Sequence, residues 1–285
     1  MGHDLGPVIV TGAAGYLGSR VADRVAESRT CLRVDRFGPA ESTLLCDLTV
    51  SSDVAALIRE TRPSAIIHCA AIVPKVAAEY ANSEAALASL QMVRNLLASP
   101  DIPAVFASSM TVYPDADRVL TEDDAAPAGD GYASQKFAAE RLLLASARSV
   151  SILRLPGLFG ASRRQGVLFN AALAFAERRA FTRDNAAAPW SGLFVDDAAT
   201  LFARALSLSG HNVLNVGYDG RMAVPDAISR LATVFGIEWH GPPSRWFSPD
   251  LTRMHSLLGR LDHDFDSRLR DVAAWARQIA AGTLT

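Results

Sequence analysis

Residues 8–18 read Val8-Ile9-Val10-Thr11-Gly12-Ala13-Ala14-Gly15-Tyr16-Leu17-Gly18 in a chain of 285 residues. A run of β-branched residues is followed by three glycines spaced G-x-x-G-x-x-G and then by a helix-like segment. This spacing differs from the commoner G-x-G-x-x-G fingerprint, but the order of strand, tight turn and helix is the same. Gly12 permits backbone angles closed to other residues, Gly15 lets a bound group approach, and Gly18 lets the helix pack closely. Because the N–H groups and dipole of a helix N-terminus attract phosphate, the segment predicts a dinucleotide site.

The bulk composition is that of a globular protein with one large domain, or one domain and a smaller lobe. The formal net charge of −2 gives no electrostatic reason to expect nucleic acid or an anionic membrane as a partner. No apolar run approaches the roughly 20 residues of a membrane span. Because Met1–Asp4 lack the basic start of a secretory signal, we expect a cytoplasmic protein. Cys31, Cys46 and Cys69 are widely spaced, which predicts reduced, buried thiols and no metal site.

Strand-like and helix-like segments alternate through the first half of the chain. Most strand-like runs are continuously apolar, as expected when helices cover both faces of a parallel sheet. The alternation predicts an α/β fold with a doubly wound parallel sheet. Ligands of such sheets bind beyond the carboxyl ends of the strands, so the residues that follow each strand are informative. We predict strands at Val8–Val10, Leu32–Val34, Thr43–Leu45, Ala65–His68 and Ala104–Ala107, and helices at Leu17–Glu27, Ser52–Glu60 and Ser83–Leu97.

Two aspartates follow predicted strands where the adenosine part of a dinucleotide is expected. Asp35 lies 17 residues after Gly18, and a carboxylate there accepts hydrogen bonds from the ribose hydroxyls of NAD but repels the 2′-phosphate of NADP. The neighbouring Arg36 can offset that repulsion or stack on adenine, so NAD is favoured and NADP is the alternative. Asp47 either accepts a hydrogen bond from the adenine amine or caps the helix after Ser51, and the sequence leaves both interpretations open.

A tyrosine and a lysine follow the fifth strand-like run. Tyr132 and Lys136 are four residues apart, so they share one face of a helix predicted to run to about Ala147. A nearby ammonium lowers the pKa of a phenol from about 10, which suits acid–base catalysis near neutral pH. The same ammonium can hold the nicotinamide ribose. A serine at the preceding strand end, Ser108 or Ser109, can orient a substrate oxygen.

These segments resemble the extended short-chain dehydrogenase/reductase family, in particular its NAD-dependent epimerase/dehydratase group. The resemblance implies a Rossmann-type domain with a small, mostly C-terminal substrate-binding lobe. We place these at residues 1–160 and 161–285, with 193–217 returning to the Rossmann domain. It also implies hydride transfer between NAD and a substrate carbinol, and a homodimer built from Ser83–Leu97 and Tyr132–Ala147. The matching segments are Thr11–Gly18, Asp35, Asp47, His68–Ala71, Ser108–Tyr113, Tyr132–Lys136, Arg154–Gly160 and Val195–Asp197.

The resemblance also implies roles for individual residues. The catalytic residues are Ser109, Tyr132 and Lys136, with Ser108 as the alternative to Ser109. The residues implied to bind the cofactor are Gly12, Gly15, Tyr16, Leu17, Gly18, Asp35, Arg36, Asp47, Leu48, Ala70, Ala71, Lys136 and Pro156. The residues implied to contact substrate are Lys75, Ser108, Met110, Thr111, Gly157 and Trp190. His68 is expected to pack at its strand end rather than to catalyse.

Three departures from the family pattern narrow the expected chemistry. Family dehydratases carry an Asp-Glu pair after the catalytic hydroxyl, and Met110 and Thr111 cannot transfer those protons, so 4,6-dehydration is not expected. The arginine that commonly clamps a substrate diphosphate aligns with Trp190, whose indole has a single N–H. An asparagine of the family's third helix aligns with Ser89, so a proton relay through it is lost. The missing positive charge comes from Arg163, Arg164, Arg178 or Arg179, or the substrate carries no diphosphate.

The sequence thus predicts an NAD-dependent epimerase or dehydrogenase/reductase with a small-molecule substrate. One version acts on a sugar nucleotide, and the other oxidises a free sugar acid or small hydroxy compound. A non-catalytic protein that senses dinucleotides is the alternative of a different class. In the C-terminal part we predict helices at Gly166–Arg179, Asp196–Leu208 (capped by Asp196), Val224–Val234 and Leu269–Ala280, and a strand at Val213–Val216.

Overall fold

The computed structural model describes residues 6–39, 41–74, 77–99, 101–127, 131–161, 163–182, 190–242 and 245–283. The strands are β1 Val8–Thr11, β2 Cys31–Asp35, β3 Leu44–Leu45, β4 Ala65–His68, β5 Ala104–Ser109, β6 Val119–Leu120, β7 Val150–Leu155, β8 Gly157–Phe159, β9 Gly192–Phe194, β10 His211–Asn215 and β11 Ser248–Pro249. The helices are α1 Tyr16–Ala26, α2 Ser51–Thr61, α3 Ser83–Leu97, α4 Tyr132–Leu144, α5 Val167–Ala176, α6 Val195–Ala205, α7 Val224–Val234, α8 Thr252–Leu258 and α9 Phe265–Ala280.

Within these residues a seven-stranded sheet has the order β10-β7-β5-β4-β1-β2-β3. Each pair of neighbouring strands in it is parallel. The chain runs outward from β1 to β3 and then returns to place β4 on the other side of β1, so the strand order reverses between β1 and β4. The predicted doubly wound α/β fold is therefore confirmed. A ligand crevice is expected at this reversal, where the turns after β1 and β4 meet.

Helices cover both faces of the sheet, which explains the continuously apolar strands. Val8 and Val10 of β1 belong to an apolar cluster that includes α1 and α6, whereas Ile9 packs on the opposite face with residues of α2 and α3. A further cluster joins α3 and α4 to β5 and β7. Alternate residues of one short strand thus serve two apolar layers, and β1 is buried along its full length.

A smaller part of the molecule is assembled from separate regions of the chain. Strand β6, from the middle of the sequence, pairs in parallel with β11. Strands β8 and β9 form a second two-stranded sheet, and α5, α7 and α9 pack beside it. The division that we predicted at residue 160 therefore does not separate these contacts, because Val119–Leu120 pairs with Ser248–Pro249.

One helix end differs from its prediction. Helix α6 begins at Val195 with Phe194 at the N-cap, so Asp196 is not its cap. Asp196 lies in the first helical turn, where a carboxylate still favours the helix dipole, and it pairs with Arg20 at 3.5 Å. None of the described helices is long and apolar enough to cross a membrane.

Candidate active site

The glycine turn after β1 is shaped by two close backbone approaches. Gly12 has φ of +70°, and a Cβ on it would lie 2.7 Å from the backbone nitrogen of Ala70, which follows β4. A Cβ on Gly18 would overlap the carbonyl oxygen of Gly12. Gly15 is the N-cap of α1, and no described side chain caps that helix. The first-turn N–H groups of α1, from Tyr16 onward, are therefore available to an anionic ligand.

Asp35 ends β2 beside this turn. Its carboxylate accepts hydrogen bonds from the backbone N–H of Ala14 at 2.9 Å and of Phe37 at 3.3 Å. The exposed Arg36 stacks its guanidinium on the Phe37 ring at 4.7 Å from the centroid. Asp35 thus lies at the turn, and its contact with the adenosine ribose stays a prediction.

Asp47 does not cap α2. Its carboxylate accepts hydrogen bonds from the backbone N–H and the hydroxyl of Thr49, at 2.9 and 2.7 Å, and these bonds lower its pKa. The N-cap of α2 is Val50, whose side chain cannot cap. The capping interpretation is therefore wrong for this helix, because Asp47 closes a turn before it. Leu48 is buried in the apolar layer under α2.

The catalytic candidates converge at the carboxyl end of β5. Ser109 is the last residue of β5, and Tyr132 is the first residue of α4. A hydrogen bond joins their side chains. Lys136 lies one turn further along α4, with Nζ 5.8 Å from the centroid of the Tyr132 ring. The structure thus brings Ser109, Tyr132 and Lys136 together, and the exposed Thr111 donates its hydroxyl to Ser109 at 3.0 Å.

The electrostatics of this group differ from the prediction. Lys136 Nζ donates to the carbonyl oxygen of Ala107 at 2.6 Å and lies 4.7 Å from the centroid of Phe106. Burial lowers the pKa of Lys136 to about 8. Burial, and secondarily the neighbouring Tyr80, hold the pKa of Tyr132 above its usual range, while the bond to Ser109 opposes this. The expected lowering of the Tyr132 pKa by Lys136 is therefore wrong here, because desolvation dominates and Nζ is directed to the Ala107 carbonyl.

Ser108 is unsuited to touch substrate. It is 3% exposed, and its hydroxyl donates to Glu140 of α4. Glu140 forms a buried two-point ion pair with Arg154 of β7, at 3.1 and 2.7 Å. Arg154 also donates to the Tyr113 hydroxyl at 2.8 Å. The alternative role for Ser108 is therefore corrected to a structural one, in a network that the sequence did not reveal, although Glu140 lies one turn after Lys136.

The remaining substrate candidates differ in their surroundings. Met110 is 7% exposed and packs in an apolar cluster with Leu120 and Phe247, so it faces the interior rather than a ligand. Trp190 packs its indole against Gly157 and Gly192, where a Cβ on either glycine would overlap the ring. Lys75 lies outside the described residues.

The cofactor candidates that follow strands lie at the same edge of the sheet. Ala70 and Ala71 follow β4, and Pro156 follows β7, whose last residue Leu155 is paired with Ser109. His68 is buried, stacks on Phe106 and bonds Thr11 Oγ1 through Nδ1 at 2.8 Å. Burial lowers its pKa to about 3, so it is neutral at physiological pH and packs as expected.

Of the arginines considered for a diphosphate, one lies at the glycine turn. Arg163 places its guanidinium 5.5 Å from the centroid of Tyr16, the first residue of α1, and donates to Leu158 at 3.2 Å. Arg179 pairs with Glu177 at the end of α5. Leu17, like Tyr16, belongs to the first turn of α1.

Tyr80 is a neighbour of the site that sequence reasoning missed. Its ring meets Tyr132 edge-on at 5.8 Å between centroids, and it is 44% exposed. A Cβ on Gly131 would overlap the Tyr80 carbonyl oxygen, so the glycine before Tyr132 permits this contact. Gly131 was therefore the feature of the sequence that could have indicated this contact. The described residues contain no group of three or more His, Cys, Asp or Glu side chains able to hold a metal ion.

Comparison with known proteins finds relatives in sequence and in fold. A probable dTDP-4,6-dihydroxy-2-methyloxan-3-one 4-ketoreductase from Streptomyces antibioticus is 31% identical over 165 residues, covering 56% of this chain and 54% of that protein. The chain thus spans about half the length of this relative. The structure of MoeE5 in complex with UDP-glucuronic acid and NAD is 25% identical, with a TM-score of 0.80 over 96% of this chain and 100% of that one.

The fold is also shared with more distant enzymes. UDP-glucose 4-epimerase from Thermotoga maritima, solved with UDP-glucose, is 18% identical, with a TM-score of 0.80 over 96% of this chain and 99% of that one. The model of the NAD dependent epimerase/dehydratase family matches residues 8–217. These residues include the glycine turn, Asp35, Ser109, Tyr132 and Lys136. The chain therefore belongs to the NAD-dependent epimerase/dehydratase family.

Proposed function

We propose that the protein transfers hydride between NAD and a secondary alcohol or ketone of a sugar nucleotide or sugar-like substrate, with Tyr132 as the acid/base. The observation that carries this proposal is the convergence of Ser109, Tyr132 and Lys136 at the carboxyl end of β5, with Lys136 Nζ 5.8 Å from the centroid of the Tyr132 ring. These groups lie at the strand ends beyond which ligands of doubly wound sheets bind.

The turn after β1 fits a dinucleotide. Gly12 and Gly18 permit the close backbone approaches that shape this turn, and the N-terminus of α1 offers N–H groups to a pyrophosphate. Asp35, at the end of β2 beside this turn, would accept hydrogen bonds from the ribose hydroxyls, and this role supports NAD over NADP. When bound, NAD exchanges a hydride at its nicotinamide ring.

Tyr132 and its neighbours would handle the proton. Because burial holds the pKa of Tyr132 high, the phenol is protonated at neutral pH and carries a proton that it could donate to a carbonyl oxygen. Ser109, hydrogen-bonded to it, would orient that oxygen. In the reverse direction Tyr132 would accept the proton, and Lys136, whose ammonium is directed to the Ala107 carbonyl, would hold the nicotinamide ribose.

The substrate class rests on fewer observations. Relatives that bind UDP-sugars support a sugar nucleotide. Trp190, seated on Gly157 and Gly192, supports the second candidate, a dehydrogenase of a free sugar acid or small hydroxy compound, because indole cannot pair with a diphosphate. Burial of Met110 is a further argument against 4,6-dehydration.

The test is absorbance of the reduced nicotinamide after mixing the protein with NAD or NADP and two panels, nucleotide sugars and free sugars or sugar acids. A new sugar nucleotide without net reduction of NAD would support the epimerase. Accumulation of NADH with a free compound would support the dehydrogenase. Absence of turnover with tight NAD binding would leave the non-catalytic sensor as the better description.

We also propose a homodimer formed through α3 and α4, as the family resemblance implies. The exposed Leu87 on α3 is consistent with a covered surface there. Light scattering coupled to size exclusion tests this by the molar mass, 30.4 kDa for the chain or twice that mass for a dimer. Three free cysteines are consistent with the proposed cytoplasmic location.

A further inference from the structure

A small cavity lies behind the Tyr132–Lys136 pair, between the ends of β4 and β5 and the helices α3 and α4. Its volume is about 10 Å³, close to the roughly 10–15 Å³ that a single buried water requires. The polar residues in its lining are His68, Ser89, Tyr132, Gln135 and Lys136. A polar lining of this size is suited to one water molecule rather than to an apolar ligand.

Gln135 contributes an unsatisfied acceptor to this lining. Its Oε1 is buried and has no hydrogen-bond partner among the described residues. Buried side-chain acceptors in native proteins are nearly always paired, with protein or with ordered water. The Ser89 hydroxyl cannot serve, because it donates to the Ala85 carbonyl at 3.1 Å and accepts from the Ile72 N–H at 2.9 Å.

Lys136 contributes donors. Its ammonium has three N–H groups, and among the described residues its hydrogen-bond acceptor is the Ala107 carbonyl. His68 bonds Thr11 through Nδ1, so Nε2 is its remaining polar atom. A water in the cavity would therefore find up to three polar partners, in Gln135, Lys136 and His68, which is the usual number for buried water.

We propose that this cavity binds one ordered water molecule that joins Lys136 Nζ to Gln135 Oε1, and that Gln135 is a positioning residue for Lys136. The water partly restores the hydration that burial removes from the ammonium, so it raises the Lys136 pKa and favours the charged form. The catalytic consequence rests on the proposed function, whereas the water and its effect on Lys136 do not.

Charged and titratable groups from several elements surround Lys136 and can affect its pKa. His68 is the last residue of β4 and Cys69 follows it, and burial keeps both neutral. Tyr132 and Glu140 lie on α4 itself, and Glu140 is already committed to its ion pair. Strand β5 contributes Phe106 and a backbone carbonyl, and α3 contributes Ser89. The bridge through Gln135 is thus an uncharged contact that can tune Lys136.

The chain offers a direct readout because it contains two lysines, Lys75 and Lys136. Protein labelled with ¹³C-lysine gives one Cε signal for each, and a Lys75→Arg variant assigns them. We expect Lys136 to titrate below the ordinary range of lysine, because burial lowers its pKa. Gln135→Met removes the acceptor at nearly constant volume and should lower this pKa by about 0.5–1 unit. Gln135→Glu adds a carboxylate and should raise it by about 1 unit.

The matched control is Gln91→Met, the same substitution on α3, where Gln91 bonds Asn95 at 2.8 Å outside the cavity lining. It should leave the Lys136 titration unchanged. A high-resolution crystal structure should contain a water peak in the cavity. A dry cavity would overturn the proposal, and so would a Lys136 pKa that is the same in Gln135→Met and in the wild type. These measurements need no substrate, so they remain decisive even if the proposed reaction fails its own test.

Discussion

Gly18 shows how a single hydrogen atom in place of a side chain shapes this site. A Cβ there would overlap the Gly12 carbonyl oxygen, and its nearest neighbours are all backbone atoms of Gly12 and Ala13, which cannot shift as easily as a flexible side chain. We expect Gly18→Ala to lower the free energy of unfolding by about 1–3 kcal/mol and to weaken NAD binding. Urea unfolding and NAD titration measure both effects. Gly217→Ala is the matched control, because a Cβ there meets no atom within 4 Å. Equal stability of the two variants would refute the steric explanation.

Single side chains also show where sequence reasoning reaches its limit. The i, i+4 spacing was sufficient to place Tyr132 and Lys136 on one helix face. It could not give the direction of the Lys136 ammonium, which is set by the Ala107 carbonyl of another strand. Likewise, Asp47 lies before a helix, as a capping residue would, but its carboxylate accepts hydrogen bonds from the nearby Thr49 instead. Local spacing predicts proximity, whereas hydrogen-bond partners depend on tertiary neighbours.

Among the helices and strands, α4 is attached to the sheet by a buried ion pair. Glu140 and Arg154 are 1% and 3% exposed, and the pair links α4 to β7. We expect Glu140→Leu to lower the free energy of unfolding by about 3–5 kcal/mol, because it leaves a buried arginine without a carboxylate. Chemical denaturation measures this loss. The double variant Glu140→Leu/Arg154→Met should regain part of it, and a double variant as unstable as Glu140→Leu would argue against that cause.

Helix α9 carries a pH-dependent cap. Asp264 is its N-cap and accepts from the Ser267 N–H at 2.8 Å, and this bond lowers the Asp264 pKa. A carboxyl whose pKa is lowered by folding stabilises the protein above its unfolded pKa of about 3.9, and the contribution disappears as the pH falls through the folded pKa. Asp264→Ala should therefore cost about 1 kcal/mol at pH 7 and much less near pH 2.

Unfolding curves of both proteins at the two pH values give this difference. A stability gap between wild type and Asp264→Ala that stays constant from pH 7 to pH 2 would show that the carboxylate charge contributes nothing to the cap.

Buried polar contacts join the sheet to the smaller lobe. Asn215 at the end of β10 accepts from the Tyr113 hydroxyl at 2.5 Å and donates to the carbonyls of Leu120 and Asp250 at 3.1 and 3.2 Å. These bonds join the sheet to β6 and to the residue that follows β11. We therefore expect a single cooperative unfolding transition.

The positions of the tryptophans make this expectation measurable. The four tryptophans are Trp190, Trp239, Trp246 and Trp275, all in the C-terminal part. Their fluorescence reports that part, while far-ultraviolet circular dichroism reports the whole chain. Coincident urea transitions are expected, and an earlier fluorescence transition would indicate a lobe that unfolds independently.

The fold was largely predictable because its signals are local. A β-branched run followed by the glycine turn and alternating segments were enough to predict the doubly wound sheet. The chain segments that form the smaller lobe could not be predicted, because β6 and β11 are short and lie far apart in the sequence. At the site, Ser109, Tyr132 and Lys136 could be predicted from the motifs that contain them. The contacts of Tyr80 and Glu140 could not, because they form only on folding.

The most direct measurement is the turnover of Tyr132→Phe on the substrate that the two panels identify, with NAD affinity measured in parallel. Loss of the phenolic proton should reduce turnover by about 10²–10⁴-fold while NAD still binds. Tyr80→Phe is the matched control, because Tyr80 meets Tyr132 through its ring, and its turnover should stay within a few-fold of wild type. Wild-type turnover by Tyr132→Phe would show that another group transfers the proton and that the assignment of Tyr132 is wrong.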